Sequence, residues 1–132
     1  KKDPTDSDLV ETALREMHEE IGFYDPNIKL IGQLTKVFIP VSKFLVYPHV
    51  FMTTQQPNFI PDSYEVKDIV TFSLFEILDE KRLIQTTVQT GNGVRIKNVP
   101  AFQINEKQVW GATCLIVNEL KMCLIRANAN KL

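Results

Sequence analysis

The sequence predicts an α/β fold in which a mixed sheet is sandwiched between helices. Two patterns carry this. From Ile28 to Trp110, short runs rich in β-branched and aromatic residues alternate with turn residues, as strands do. On either side of that stretch, around 8–21 and 112–127, apolar residues recur at helical spacing. The length of 132 residues and the 44% hydrophobic content suit a single domain, 1–132, with a genuine core.

The elements follow in order. Lys1 to Ser7 is a polar loop, and Asp8 is the N-cap of the first helix, with Glu11 three residues on as in a capping box. The helix carries Val10, Ala13, Leu14, Met17 and Ile21 on its apolar side and stops at Gly22, a favoured left-handed terminator. Asp25-Pro26-Asn27 is a turn. Ile28 to Ile39 reads as one strand, with Leu30, Gly32, Leu34, Lys36 and Phe38 sharing a face. Phe44 to Thr54 reads as the next, joined through Pro40-Val41-Ser42-Lys43, and Pro48 within it argues for an edge or a bulge. Gln55 to Ser63 is a proline-punctuated loop. Asp68 to Leu74 alternates like a strand, and Phe75 to Lys81 reads as a short helix. A hairpin turns at Gly91-Asn92-Gly93 and a second turn lies at Asn105-Glu106-Lys107. The closing helix runs from Ala112 to about Ala127, apolar on most sides, and the tail from Asn128 to Lys131 reads as frayed.

Composition narrows the function classes. A net charge of −1 with acids and bases interspersed gives no electrostatic footprint for nucleic acid. No run approaches the roughly 18 apolar residues of a membrane span. Cys114 and Cys123 are the only cysteines, and nine helical residues place them on opposite faces, too far round to bridge. Buried free thiols fit a reducing, cytoplasmic interior.

The first helix carries the chemistry. Arg15-Glu16-Met17-His18-Glu19-Glu20-Ile21-Gly22-Phe23 puts an arginine and three carboxylates into six consecutive positions. At about 100° per residue, Glu16 and Glu20 stack one above the other with Glu19 beside them. Like charges at that spacing destabilise a helix mildly, so a bound cation is the natural reason to keep them; a solvated acidic face is the plainer one. Arg15 stands four residues from both Glu11 and Glu19, which favours a structural role tying the acidic strip together.

The pattern R-E-U-x-E-E-x-G-U, where U is a bulky apolar residue, is met at every fixed position from Arg15 to Phe23. It is the second half of the box that defines the Nudix hydrolases, and the chain resembles that family. The resemblance implies an α/β/α sandwich with a mixed sheet, Mg2+ or Mn2+ as cofactor, and hydrolysis of a small-molecule diphosphate. It implies Glu16 and Glu20 as metal ligands and Glu19 as a further ligand or as the base that receives a proton from the attacking water. His18 falls on the variable position. Glu65, in Pro61-Asp62-Ser63-Tyr64-Glu65-Val66, is similar to the extra glutamate that many Nudix enzymes bring from a distant loop; otherwise it is an exposed loop acid.

Three features look like the coenzyme A pyrophosphatase branch: the opening Lys2-Asp3-Pro4-Thr5-Asp6, the Glu65-Val66 segment leading to Ser73-Leu74-Phe75-Glu76, and Pro100-Ala101-Phe102 with Val109-Trp110-Gly111. The general box has glutamate eight residues before the arginine, where this chain has Ser7, with Asp6 or Asp8 as stand-ins. Trp110 and Gly111 read as core packing and a close backbone contact. The chain opens without methionine, just after where the resemblance implies the glycines that begin the box should stand. It therefore reads as a piece whose first strands, and the branch's specificity motif, stand before Lys1, leaving a sheet edge or core face uncovered. Coenzyme A is the expected substrate, with ADP-ribose, nucleotide sugars or dinucleotides as alternatives. A non-catalytic ligand-sensing domain is the rival of another class. A homodimer is left open.

Overall fold

The computed structural model describes residues 2–129. Its elements in chain order are α1 (Leu9–Ile21), β1 (Lys29–Gln33), β2 (Val37–Ile39), β3 (Phe44–Val46), β4 (His49–Met52), α2 (Leu74–Leu78), β5 (Leu83–Gln89), β6 (Arg95–Ile104), β7 (Lys107–Trp110) and α3 (Gly111–Ala129). Helices and sheet are thus both present, as the predicted class requires, and the long ladders are antiparallel. The described residues divide into two compact units, 2–36 with 46–69 and 37–45 with 70–129.

In the first unit β1 pairs with β4. The expected strands 28–39 and 44–54 are each broken in two. β1 bulges between Leu30 and Gly32 and ends at Gln33, and Pro48 interrupts the other strand, its carbonyl accepting from Leu34 N–H at 3.0 Å. The bulge inserts one residue, so the single face from Leu30 to Phe38 does not exist: Leu30 and Ile31 are both exposed and Gly32 is the half-buried member of β1. β2 and β3 pair with each other.

The second unit is built on β5-β6-β7. β6 is one long strand serving both hairpins, pairing Leu83↔Phe102 on one side and Phe102↔Val109 on the other. Pro100 lies one residue beyond the last β7 pair, Ala101↔Trp110, so its missing N–H is not asked for from both sides. The register shifts between Thr86 and Val88, opposite Asn98 in a left-handed conformation. The core is a cluster of Ile77, Phe102, Ile104, Cys114 and Val117, with Val70, Phe72, Val109, Leu120 and Leu124 packed on it. Complete burial of a side chain such as Phe102 or Ile104 contributes about 1.5–3 kcal/mol.

Several expectations are corrected here. Asp68 to Ser73 forms no strand; its alternation marks Val70 and Phe72 reaching the core, without a ladder partner. The short helix starts one residue early, at Leu74, because Ser73 caps it: Ser73 Oγ accepts from Phe75 N–H and Glu76 reaches back to Ser73 N–H. Trp110 is 41% exposed on β7 and is not a core residue. Gly111 has open space around it; what requires glycine is its φ of +68°. Helix α3 continues through Asn128 and Ala129, and the rest of the expected frayed tail lies outside the described residues. Cys114 is buried and Cys123 exposed, both free, so only one of the two thiols is sheltered.

Candidate active site

Helix α1 begins as its sequence demands. Asp8 accepts from Glu11 N–H at 2.9 Å, while the Glu11 carboxylate turns to Ser7 N–H at 2.6 Å. That bond holds Glu11 below the usual carboxylate range. The reciprocal half of the box thus reaches one residue further out than expected.

Asp6 is the anchor beneath the helix. It is 6% exposed, and its carboxylate takes Arg15 Nε on Oδ1 and Arg15 Nη2 on Oδ2, both at 3.0 Å. Oδ2 also accepts from Thr12 Oγ1 at 2.9 Å and Asp3 N–H at 2.8 Å. Two parallel bonds fix the plane of the guanidinium as well as its distance. The arginine beside it holds Asp6 far below the ordinary carboxylate range, and Asp6 in turn raises Arg15. So of the two stand-ins for the absent glutamate, Asp6 grips the arginine and Asp8 caps the helix.

Arg15 extends its remaining nitrogen to Glu19 Oε2 at 2.7 Å. The tie to Glu19 is therefore present, as expected, and Asp6 is the partner the i,i+4 reading did not name. Glu16 is half-buried, and Glu19 and Glu20 are exposed, along one helix. His18 is exposed and meets the Tyr24 ring edge-on at 6.0 Å.

The far end of α1 is closed by a second segment. Gly22 adopts φ +64°, and its N–H returns to His18 carbonyl at 3.0 Å. The carbonyls of Glu20 and Ile21, which a helix end leaves without partners, accept from Asp62 N–H and Ile60 N–H, each at 2.8 Å. Asp62 then turns the chain towards Glu65: its carbonyl accepts from Glu65 N–H at 3.3 Å and Val66 N–H at 2.8 Å, and its Oδ1 from Tyr64 N–H at 2.7 Å. Glu65 itself is exposed in that turn. Its loop is thus tied to the C-terminal end of the acidic helix through backbone bonds, which no side-chain pattern announces.

The turn after α1 is pinned in the same manner. Asp25, 4% exposed, accepts from Asn27 N–H at 2.8 Å, Gln55 Nε2 at 3.0 Å and Thr53 Oγ1. The turn was legible in the sequence; the buried role of its aspartate was not, because its side-chain partners Thr53 and Gln55 stand 28 and 30 residues away.

Glu16, Glu19, Glu20 and Glu65 offer only hard carboxylate oxygens, the donor chemistry that Mg2+ or Mn2+ takes. Among the described residues no three His, Cys, Asp or Glu side chains are gathered so as to hold a metal ion. Carboxylates of like charge have no electrostatic reason to gather by themselves. A separate cavity of about 340 Å3 lies in the second unit between Val37–Pro40, Val99, Pro100 and the start of α3; its lining contains no carboxylate, histidine or lysine, and Cys114 is its one titratable side chain. Among the described residues no helix is long and apolar enough to cross a membrane.

No family model matches the sequence. It is 32% identical over 117 residues, 88% of this chain and 49% of the relative, to a human protein named mitochondrial coenzyme A diphosphatase NUDT8. It is 32% identical over 120 residues, 91% of this chain and 60% of the relative, to a Yersinia enterocolitica protein named uncharacterized Nudix hydrolase NudL. A protein of that same name from Pectobacterium atrosepticum is 29% identical over 91% of this chain and 61% of its own length. The chain therefore spans between about half and three-fifths of the length of these curated relatives.

Proposed function

The chain belongs to the Nudix hydrolase family, and from that premise we propose that it is a metal-dependent pyrophosphohydrolase acting on coenzyme A or its derivatives. Water attacks one phosphorus of the diphosphate and the bond from that phosphorus to the bridging oxygen breaks. The products are 4′-phosphopantetheine and adenosine 3′,5′-bisphosphate. The observation that carries this reading is the strip Glu16, Glu19 and Glu20 on α1, with Arg15 held by the buried Asp6. A bound Mg2+ or Mn2+ would supply positive charge against the diphosphate and acidify water.

Each residue then has a task. Glu16 and Glu20 would hold the cation. Glu19 would receive the proton of the attacking water or share in holding the cation. Arg15 keeps Glu19 in place. Glu65 adds a carboxylate from the loop tied to the helix end. The choice of coenzyme A is supported by the likeness to the human protein so named and by the opening and closing motifs of the chain. The free thiols support a reducing compartment such as the cytoplasm.

The test is direct. The full polypeptide is incubated with coenzyme A, ADP-ribose and NADH, each with magnesium or manganese. Release of adenosine 3′,5′-bisphosphate from coenzyme A in preference to the others is the expected result. Preference for ADP-ribose or NADH moves the substrate and keeps the chemistry, and no phosphorus product from any of them leaves a ligand-sensing domain as the reading.

A further inference from the structure

We propose that Gly22 is a positioning residue, seating the Ile60–Asp62 segment on the end of α1 and so setting where Glu65 stands relative to Glu16, Glu19 and Glu20. This rests on the proposed function, in which Glu65 works with those acids.

The first observation is the space around Gly22. A Cβ built there would lie 2.9 Å from both the Cβ and the carbonyl oxygen of Ile60. One of those is backbone, so rotating a side chain cannot relieve the clash. The second is the pair of hydrogen bonds that the close approach permits, Ile60 N–H to Ile21 and Asp62 N–H to Glu20. The third is Phe23, buried just after the glycine, whose ring meets Phe59 edge-on at 5.9 Å immediately before the segment. By contrast the Ile60 side chain is 67% exposed, so apolar burial of that residue does not hold the segment. Backbone bonds hold it, and those act only at short range.

The connection to Glu65 is brief. Asp62 gives its N–H to the Glu20 carbonyl and receives the Glu65 N–H on its own carbonyl. One residue therefore links the last acid of the helix to the acid of the loop. Gly22 thus meets two demands that coincide: a left-handed turn to end the helix, and the absence of a side chain where the segment crosses. Acids that must act on one diphosphate need placement to within about 0.5 Å, and a methyl group at Gly22 forces the Ile60 backbone or the helix end to shift by an amount of that order.

Two variants separate the demands. Gly22→Ala meets both penalties, whereas asparagine accepts the left-handed conformation, so Gly22→Asn isolates the crowding against Ile60. Both are expected to speed amide exchange at Ile60 and Asp62 at least about tenfold while the amides of α1 before His18 keep their protection. Turnover is expected to fall about tenfold or more with KM little changed, and to fall no further when either substitution is added to Glu65→Gln. Losses that add to that of Glu65→Gln, or native exchange and turnover in Gly22→Asn, would overturn the proposal. If the unmutated chain hydrolyses no diphosphate, the proposed function has failed, and the exchange measurement still decides whether Gly22 seats the segment.

Discussion

In the first unit the buried residues are Asp6, Thr12 and Asp25 beside Phe23 and Pro48. Among the described residues of the second they are Ile77, Val88, Ala101, Phe102, Ile104, Cys114 and Val117, with Lys121 the single charge, its ammonium 6.0 Å over the Phe102 ring. The first unit thus buries directed bonds and the second buries hydrocarbon. Hydrocarbon burial is non-directional and tolerates small displacements, so it supplies stability. A bidentate carboxylate–guanidinium pair is directional and fixes angles as well as distances. The comparison teaches a division of labour: charged groups that must be aimed stand where polar clamps aim them, and the apolar core stands where no aiming is needed.

The division can be broken most sharply at Glu20. Glu20→Gln is expected to lower turnover by roughly 10² or more, the scale of losing a positioned acid–base or charge-stabilising group, while thermal unfolding stays within a degree or two of the native chain. Near-native turnover would show that the acidic strip is surface. The converse substitution lies in the second unit. Phe102→Ala is expected to cost roughly 3–5 kcal/mol in denaturant unfolding, with any surviving folded protein still turning over; a cost below about 1 kcal/mol would show that this core is not what stabilises the unit.

Asp6 sharpens the contrast through pH. Its folded pKa is depressed, so its contribution to stability is whole above the ordinary aspartate value of 3.8 and is lost as pH falls from there through the depressed value. Asp6→Asn is expected to lower the melting temperature at pH 7 by on the order of 5 °C and to flatten the loss of stability below about pH 4. An unchanged acid branch would mean that the Arg15 clamp contributes nothing to folding. The smallest effect concerns the thiols. Burial pushes the Cys114 thiol above its ordinary value, so a maleimide at neutral pH is expected to label Cys123 quickly and Cys114 only on unfolding; equal rates would show that the core of the second unit opens readily.

How much of this was legible beforehand differs by element. The N-cap at Asp8, the stop at Gly22 and the Arg15–Glu19 tie follow from spacings within one helix, and they stand as read. The hairpin of β5 and β6 was equally plain, because Gly91-Asn92-Gly93 acts over a few residues. The strands around Pro48 were located but misdivided, since one bulged residue in β1 changes which side chains share a face. Trp110 misled because an aromatic beside alternating residues looks like core whichever face the strand turns inward.

Sequence alone sufficed for the helices, the strand-rich middle, the acidic strip and the family that strip announces, because each depends on neighbours within a turn or two of the chain. Tertiary structure decided that Asp6 grips Arg15, that Asp25 binds Thr53 and Gln55, and that Ile60 and Asp62 close the end of α1. Those contacts join backbone and short polar groups brought together by folding, and a backbone N–H is the same in every residue but proline. A sequence therefore shows which carboxylates a helix presents, while their aim is set by bonds that leave no mark on side-chain pattern.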